Sequence, residues 1–175
     1  MKRNSLALVL ILSMIFVLCL LLTGCEDDPG DHDNLEEPEI TVEYLSGEYA
    51  EQLLRDGGES TLGTIEIEKD SEGACSLTVH SMVIVESSIS DDGYYIADKN
   101  ISNTVPLSSQ AMATYIQSPD SPPEVIDLET FISKAQKDGE KAASKKKDSD
   151  PPEKLYNVYI IGGSALLLLA KELPR

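Results

Sequence analysis

From Ser46 onward the apolar positions fall into short runs whose spacing switches between a helical and an alternating period. "SGEYAEQLLR", Ser46 to Arg55, sets Tyr49, Leu53 and Leu54 at helical spacing and is followed by Gly57-Gly58, so it predicts a short amphipathic helix with a glycine stop. Leu62 to Lys69 alternates, with Ile65 and Ile67 opposed to Glu66 and Glu68, as a strand with one wet face does. Ser76 to Glu86 is longer and rich in β-branched residues. Leu77, Val79, Val83 and Val85 share one face, but Met82 and Ile84 make the other partly apolar, which predicts a central or strongly curved strand. Three short strands follow, Tyr94–Ala97, Thr104–Leu107 with an edge-type Pro106, and Met112–Gln117. "VIDLETFISKAQ" then offers Asp127 as an N-cap and Leu128, Phe131, Ile132 and Ala135 as one helical stripe. The Lys-rich, low-complexity segment 137–153 reads as a disordered exposed loop. Two apolar runs joined across Gly162-Gly163 predict a terminal hairpin; Ile160 to Ala170, eleven residues broken by glycine, is too short to cross a membrane.

The start of the chain has a different pattern. Lys2 and Arg3 precede an apolar run from Ser5 to Leu22, and "LLTGCEDD" marks its abrupt change into acidic sequence. Taken alone, that run is about long enough for a membrane helix. The three-part layout of charge, apolar run and small residues is that of a secretory signal. Leu22-Thr23-Gly24-Cys25 resembles the lipobox of the bacterial lipoprotein signal peptide class, with Thr23 a less common occupant than Ala or Ser. The resemblance covers about the first 25 residues. It implies that the Cys25 thiol carries a diacylglyceryl group, with palmitate-type chains, and that the signal is cut between Gly24 and Cys25. Two acyl chains on one residue suffice for stable anchoring. The expected location is the extracytoplasmic face of the cell membrane, or an outer membrane in a cell that has one.

Losing residues 1–24 would take the formal charge from −17 to −19, because Lys2 and Arg3 leave with the signal. So acidic a surface repels nucleic acid and anionic headgroups alike. Nucleic acid is therefore not an expected partner. Residues 25–39 comprise the lipidated cysteine and a tether, Glu26 to Glu39, with eight acidic residues and two prolines, a composition that cannot repay the entropy of ordering. Asp27, Asp28, Asp31, Asp33 and Asn34 suggest a calcium loop, but their spacing is not that of the EF-hand. No metal or other cofactor is expected. With Cys19 removed and Cys25 lipidated, Cys75 is left without a disulfide partner and reads as a half-buried hydrophobe.

Residues 40–175 then form a single globular domain, mostly β (α+β). Its order of three strands, helix and two strands, after a short helix and an extra strand, resembles the OB-fold, a small five-stranded barrel whose helix precedes the final hairpin. "DGYYIADKN", the following "VPL" and the terminal "LYNVYI" and "LLLLAKELP" are also similar to uncharacterised small lipoproteins of Gram-positive bacteria. That likeness implies no activity.

Candidate chemistry is sparse. Phosphate loops, paired-cysteine metal spacings and HExxH are absent, and the chain has only His32 and His80. His80-Ser81 pairs a base with a nucleophile in sequence, but strand neighbours point to opposite faces. Ser164 lacks the GxSxG spacing of a nucleophile elbow. Asp91-Asp92-Gly93 reads as a turn, and as a carboxylate pair only under the alternative of a cell-wall-acting envelope hydrolase. The expected function is non-catalytic binding of an envelope protein or small ligand. Of Tyr94 and Tyr95 one should pack inward and one remain outside, forming a partner-binding face with Tyr115 and the acidic turn.

Overall fold

The computed structural model describes residues 39–91, 93–118, 120–145 and 154–173, except the side chains of 142–145. The expectations placed on the signal, Gly24, Cys25 and nearly all of the tether lie outside those residues. The described part is mostly β. Helical turns α1 (Val42–Tyr44) and α2 (Ala50–Arg55) flank a π-helical turn, Leu45–Tyr49. Six strands follow: β1 (Glu59–Lys69), β2 (Cys75–Glu86), β3 (Tyr94–Ile116), β4 (Pro123–Ile126), then, after helix α3 (Leu128–Lys145), β5 (Leu155–Ile161) and β6 (Ser164–Lys171). They make one sheet in the order β2-β1-β5-β6-β3-β4, and β2 pairs with β3 as well. All pairings are antiparallel except β3 with β6.

The helix ends follow from local chemistry. Thr41 Oγ1 accepts from the Tyr44 amide at the start. At the end Gly57 takes φ 88 while the Gly58 and Gly57 amides donate to the carbonyls of Leu53 and Leu54, the double bond of a Schellman stop. The buried stripe is Leu45, Ala50 and Leu53; Leu54, expected on the inner face, is exposed. The π-helical turn shifts the phase of the stripe, so a 3.6-residue count misassigns Leu54. At α3 the Asp127 carboxylate accepts from the Thr130 amide at 2.8 Å, as an N-cap does. Gly162 and Gly163 both have positive φ, the requirement of a tight hairpin turn between β5 and β6.

Two elements differ from expectation. The three short strands between Tyr94 and Gln117 are one 23-residue strand, β3. Its polar interruptions are absorbed rather than turned: Asn100 adopts φ 56 with its amide bonded to Asp98 Oδ1, and the register with β2 shifts between His80 and Met82. A second shift, between Leu107 and Met112, lies in the pairing with β6. The loop expected from 137 is also misplaced. α3 continues through Lys145, because Asp138 on it is pinned to the sheet.

Two cores result. Leu77, Val79, Val105, Ala113, Phe131, Val158 and Leu168 belong to the larger, which joins the sheet to α3, and Phe131 meets Tyr156 edge to face at 5.5 Å. Leu45, Ala50 and Leu53 from the N-terminal turns pack on Leu167 and Leu169, the opposite face of β6. Gly63 marks the position where β1 passes from β5 to β2; a Cβ there would collide with the His80 carbonyl.

Candidate functional site

The far half of the β2–β3 hairpin is built differently from the rest. β1 last pairs with β2 at Gly63–Ser81, and β6 first pairs with β3 at Leu107. From Met82 to Glu86 and from Tyr94 to Asp98, therefore, the two strands pair, among the described residues, only with each other. The register puts Met82 and Asp98, Ile84 and Ile96, and Glu86 and Tyr94 on one face, with Val83 and Ala97, and Val85 and Tyr95, on the other. None of these residues joins either core. Tyr95 is 51% exposed and Tyr94 half-buried, while Ile89 at the tip is 94% exposed. The tip is held by short bonds: the Ser87 amide donates to the Gly93 carbonyl at 2.8 Å, the Gly93 amide to the Ser90 carbonyl at 3.0 Å, and Ser90 Oγ to the Tyr94 carbonyl at 2.7 Å. Gly93 has positive φ, as a turn requires; Asp92 lies outside the described residues.

Tyr115 does not join this surface. It lies near the other end of β3 and is buried at 6% exposure, its hydroxyl donating to Asp138 Oδ2 at 2.7 Å. Lys154, just before β5, donates to the same carboxylate at 2.8 Å and to the Tyr115 oxygen, and its ammonium sits 3.8 Å from the Tyr115 ring centroid. Lys134 approaches the ring at 4.9 Å. Burial, the hydrogen bond to Asp138 and the negative charge of that residue push the Tyr115 hydroxyl above its ordinary value. Burial alone would raise Asp138, but the bonds from Lys154 and Tyr115 and the positive charges of Lys154 and Lys141 outweigh it and hold the carboxyl below its usual range. The group is thus a neutral phenol, a carboxylate and an ammonium satisfying one another between α3, β3 and β5. It locks the helix to the sheet.

A third group escaped the sequence. His80 and Ser81 face opposite ways as expected, Ser81 being buried, but His80 Nδ1 lies 2.8 Å from Ser102 Oγ across the β2–β3 pair. Glu66 Oε1 lies 3.5 Å from Nε2, and Nε2 is shielded from water and has no hydrogen-bond partner among the described residues. Thr78 and Thr104 bond side by side at 2.8 Å. Carboxylate, imidazole and hydroxyl stand in a row, yet Glu66 and Ser102 are exposed on the sheet face, without the water exclusion that acyl transfer uses. The row braces three strands. It was illegible in sequence because Ser102 reaches His80 only through the cross-strand register.

Among the described residues no group of three or more His, Cys, Asp or Glu side chains is placed to hold a metal ion, and no helix is long and apolar enough to cross a membrane. Cys75 is a free thiol packed partly against the larger core. Comparison with known protein families, with curated proteins and with solved structures finds no match to this chain.

Proposed function

We propose that this chain is a membrane-anchored extracytoplasmic lipoprotein whose folded part is an OB-like barrel acting as a non-catalytic binding module, with the β2–β3 ribbon as its working surface. The observation that carries the binding role is that ribbon: two strands with apolar side chains on both faces, covered by neither core. Tyr95 and Ile89 are exposed and the other apolar side chains of the ribbon are only partly buried, and apolar surface left open in this way is retained where a partner covers it. The barrel reading is supported by the cycle of pairings β1–β2–β3–β6–β5–β1, by the parallel β3–β6 pair, by the glycine corner at Gly63 and by the helix before the last two strands. The anchor rests on Leu22-Thr23-Gly24-Cys25 and the apolar run before it. The hydrolase alternative rests on Asp91-Asp92, of which Asp91 is exposed and Asp92 lies outside the described residues, so no observation favours it.

Metabolic labelling with a radioactive fatty acid should mark the wild type and not Cys25→Ala, whose precursor should stay uncut; an unlabelled wild type would remove the anchor. For the module, chemical crosslinking on intact cells should give partner adducts that Tyr95→Ser weakens while melting stays unchanged. Adducts indifferent to every ribbon substitution would move the working surface elsewhere.

A further inference from the structure

Resting on that binding role, the ribbon has features that define what it would hold. Both strands present an edge that no strand pairs among the described residues, Met82–Glu86 on β2 and Tyr94–Asp98 on β3, and the β3 edge is the one that carries exposed Tyr95 and Asp98 while Met82–Val85 are partly buried. Beyond Asp98 the edge is interrupted by the irregularity at Asn100, with Lys99 beside it, devices that stop strand addition. What remains is a slot five residues long, the length of an ordinary strand.

The slot has a charge pattern as well as a length. On one face, Glu86 lies opposite Tyr94 at one end and Asp98 opposite Met82 at the other, with the Ile84–Ile96 pair between them. Both carboxylates are exposed, as is Asp91 at the tip, and from Met82 to Asp98 the sequence has no lysine or arginine. The other face, Val83, Val85, Ala97 and Tyr95, is uncharged. Like charge disfavours several occupants. The acidic segment 26–39, a second copy of this chain with formal charge −17, and anionic headgroups would each bring negative charge to negative charge.

We infer that the Tyr94–Asp98 edge receives a cationic, extended polypeptide segment as an added strand, with basic residues four positions apart beside Tyr94 and Asp98, the first reaching past Tyr94 toward Glu86 on β2, and an apolar residue midway beside Ile96. The spacing follows from the strand period: positions i, i+2 and i+4 share a face. Backbone hydrogen bonds supply the attachment, and side chains on alternate positions supply the selectivity.

The test uses the full chain in phosphatidylcholine nanodiscs, titrated by fluorescence anisotropy with a labelled peptide containing Lys-Val-Ile-Val-Lys, against empty discs. Saturable binding is expected, weakened by added salt and about tenfold by Glu86→Gln combined with Tyr95→Ser. Glu51→Gln with Glu124→Gln, which removes acidic charge elsewhere, should leave it unchanged. The isomer Lys-Lys-Val-Ile-Val and a peptide N-methylated at alternate amides should bind at least about tenfold more weakly. Equal binding of the isomer, or equal loss in the Glu51/Glu124 variant, would reduce the effect to general attraction between opposite charges and overturn the inference. Undiminished binding of the N-methylated peptide would overturn strand addition, as would self-association abolished by the ribbon substitutions. If cell-surface adducts still depend on Tyr95 while the peptide fails, the inference falls and the binding role stands; if adducts ignore the ribbon, the binding role falls first.

Discussion

β6 and the far half of the β2–β3 hairpin have the same signature, apolar residues on both faces, and opposite fates. In β6, Ala165 and Leu168 enter the core shared with α3, while Leu167 and Leu169 lie under the N-terminal helical turns. In the ribbon, Met82, Ile84 and Ile96 on one face and Val83, Val85 and Tyr95 on the other meet neither. The difference lies not in the strands but in what is folded over them. A doubly apolar strand is buried on both faces only where two layers reach it, and where neither core does, its apolar side chains stay partly open to water.

The contrast can be broken most severely inside the body. Phe131→Ala removes a fully buried ring and its edge-to-face contact with Tyr156, and should cost about 3–5 kcal/mol in urea unfolding. A loss as small as that of a surface change would mean α3 is not the cover of the larger core. Next comes Gly63→Ala, which forces a methyl group against the His80 carbonyl where β1 changes partner; overpacking of this kind costs roughly 1–3 kcal/mol, and the Tm should drop accordingly.

A smaller and pH-dependent effect belongs to the lock between α3 and the sheet. Lys154→Met leaves Asp138 and Tyr115 without their shared cation and should cost about 1 kcal/mol, the lower end for a lost charged partner because the pair is partly in water. Asp138 is held below its ordinary value in the folded state, so its contribution is present above the unfolded carboxylate pKa of about 3.9 and is lost as pH falls through the folded value. Tyr115 is raised, so its contribution is complete below about pH 10 and is lost as pH rises through the folded value. Unfolding curves at acid and alkaline pH should show both losses in the wild type, and Asp138→Asn should flatten the acid limb. The same lock makes replacement of 137–153 by a Gly/Ser linker damaging, although the composition alone suggested a dispensable loop. The smallest effect is expected at the ribbon. Tyr95→Ser and Ile89→Ser should change stability by no more than about 0.5 kcal/mol, and a larger loss would show that the ribbon is packed after all.

Local chemistry made much of this fold legible. The Asp127 cap, the Gly57-Gly58 stop, the Gly162-Gly163 hairpin and the inward Ile67 and Phe131 each depend on a few neighbours in sequence, and each is where its pattern put it. Strand alternation puts Tyr94 and Tyr95 on opposite faces, but Tyr94 is only half-buried and joins neither core, so neither tyrosine packs inward as one of them was expected to. What failed required distant partners. The sequence divides β3 into three because Asp98-Lys99-Asn100 and Ser108-Ser109-Gln110 look like turns, whereas pairing with β2 up to Pro106 and with β6 beyond it carries the strand through them. The sequence puts Tyr115 on a binding face because nothing near it reveals Asp138 or Lys154, which reach it from 23 and 39 residues away.

The charge, the signal-like start and the type and order of most elements belong to the sequence by itself, since composition, capping and hydrophobic period act over a few residues. Which doubly apolar strand would join a core and which would be left partly exposed, where His80 would find a hydroxyl, and which tyrosine would be locked away were decided only by the tertiary structure. Each of those outcomes depends on cross-strand register and on the cover supplied by helices, and a one-residue shift in register would exchange the faces and reverse them.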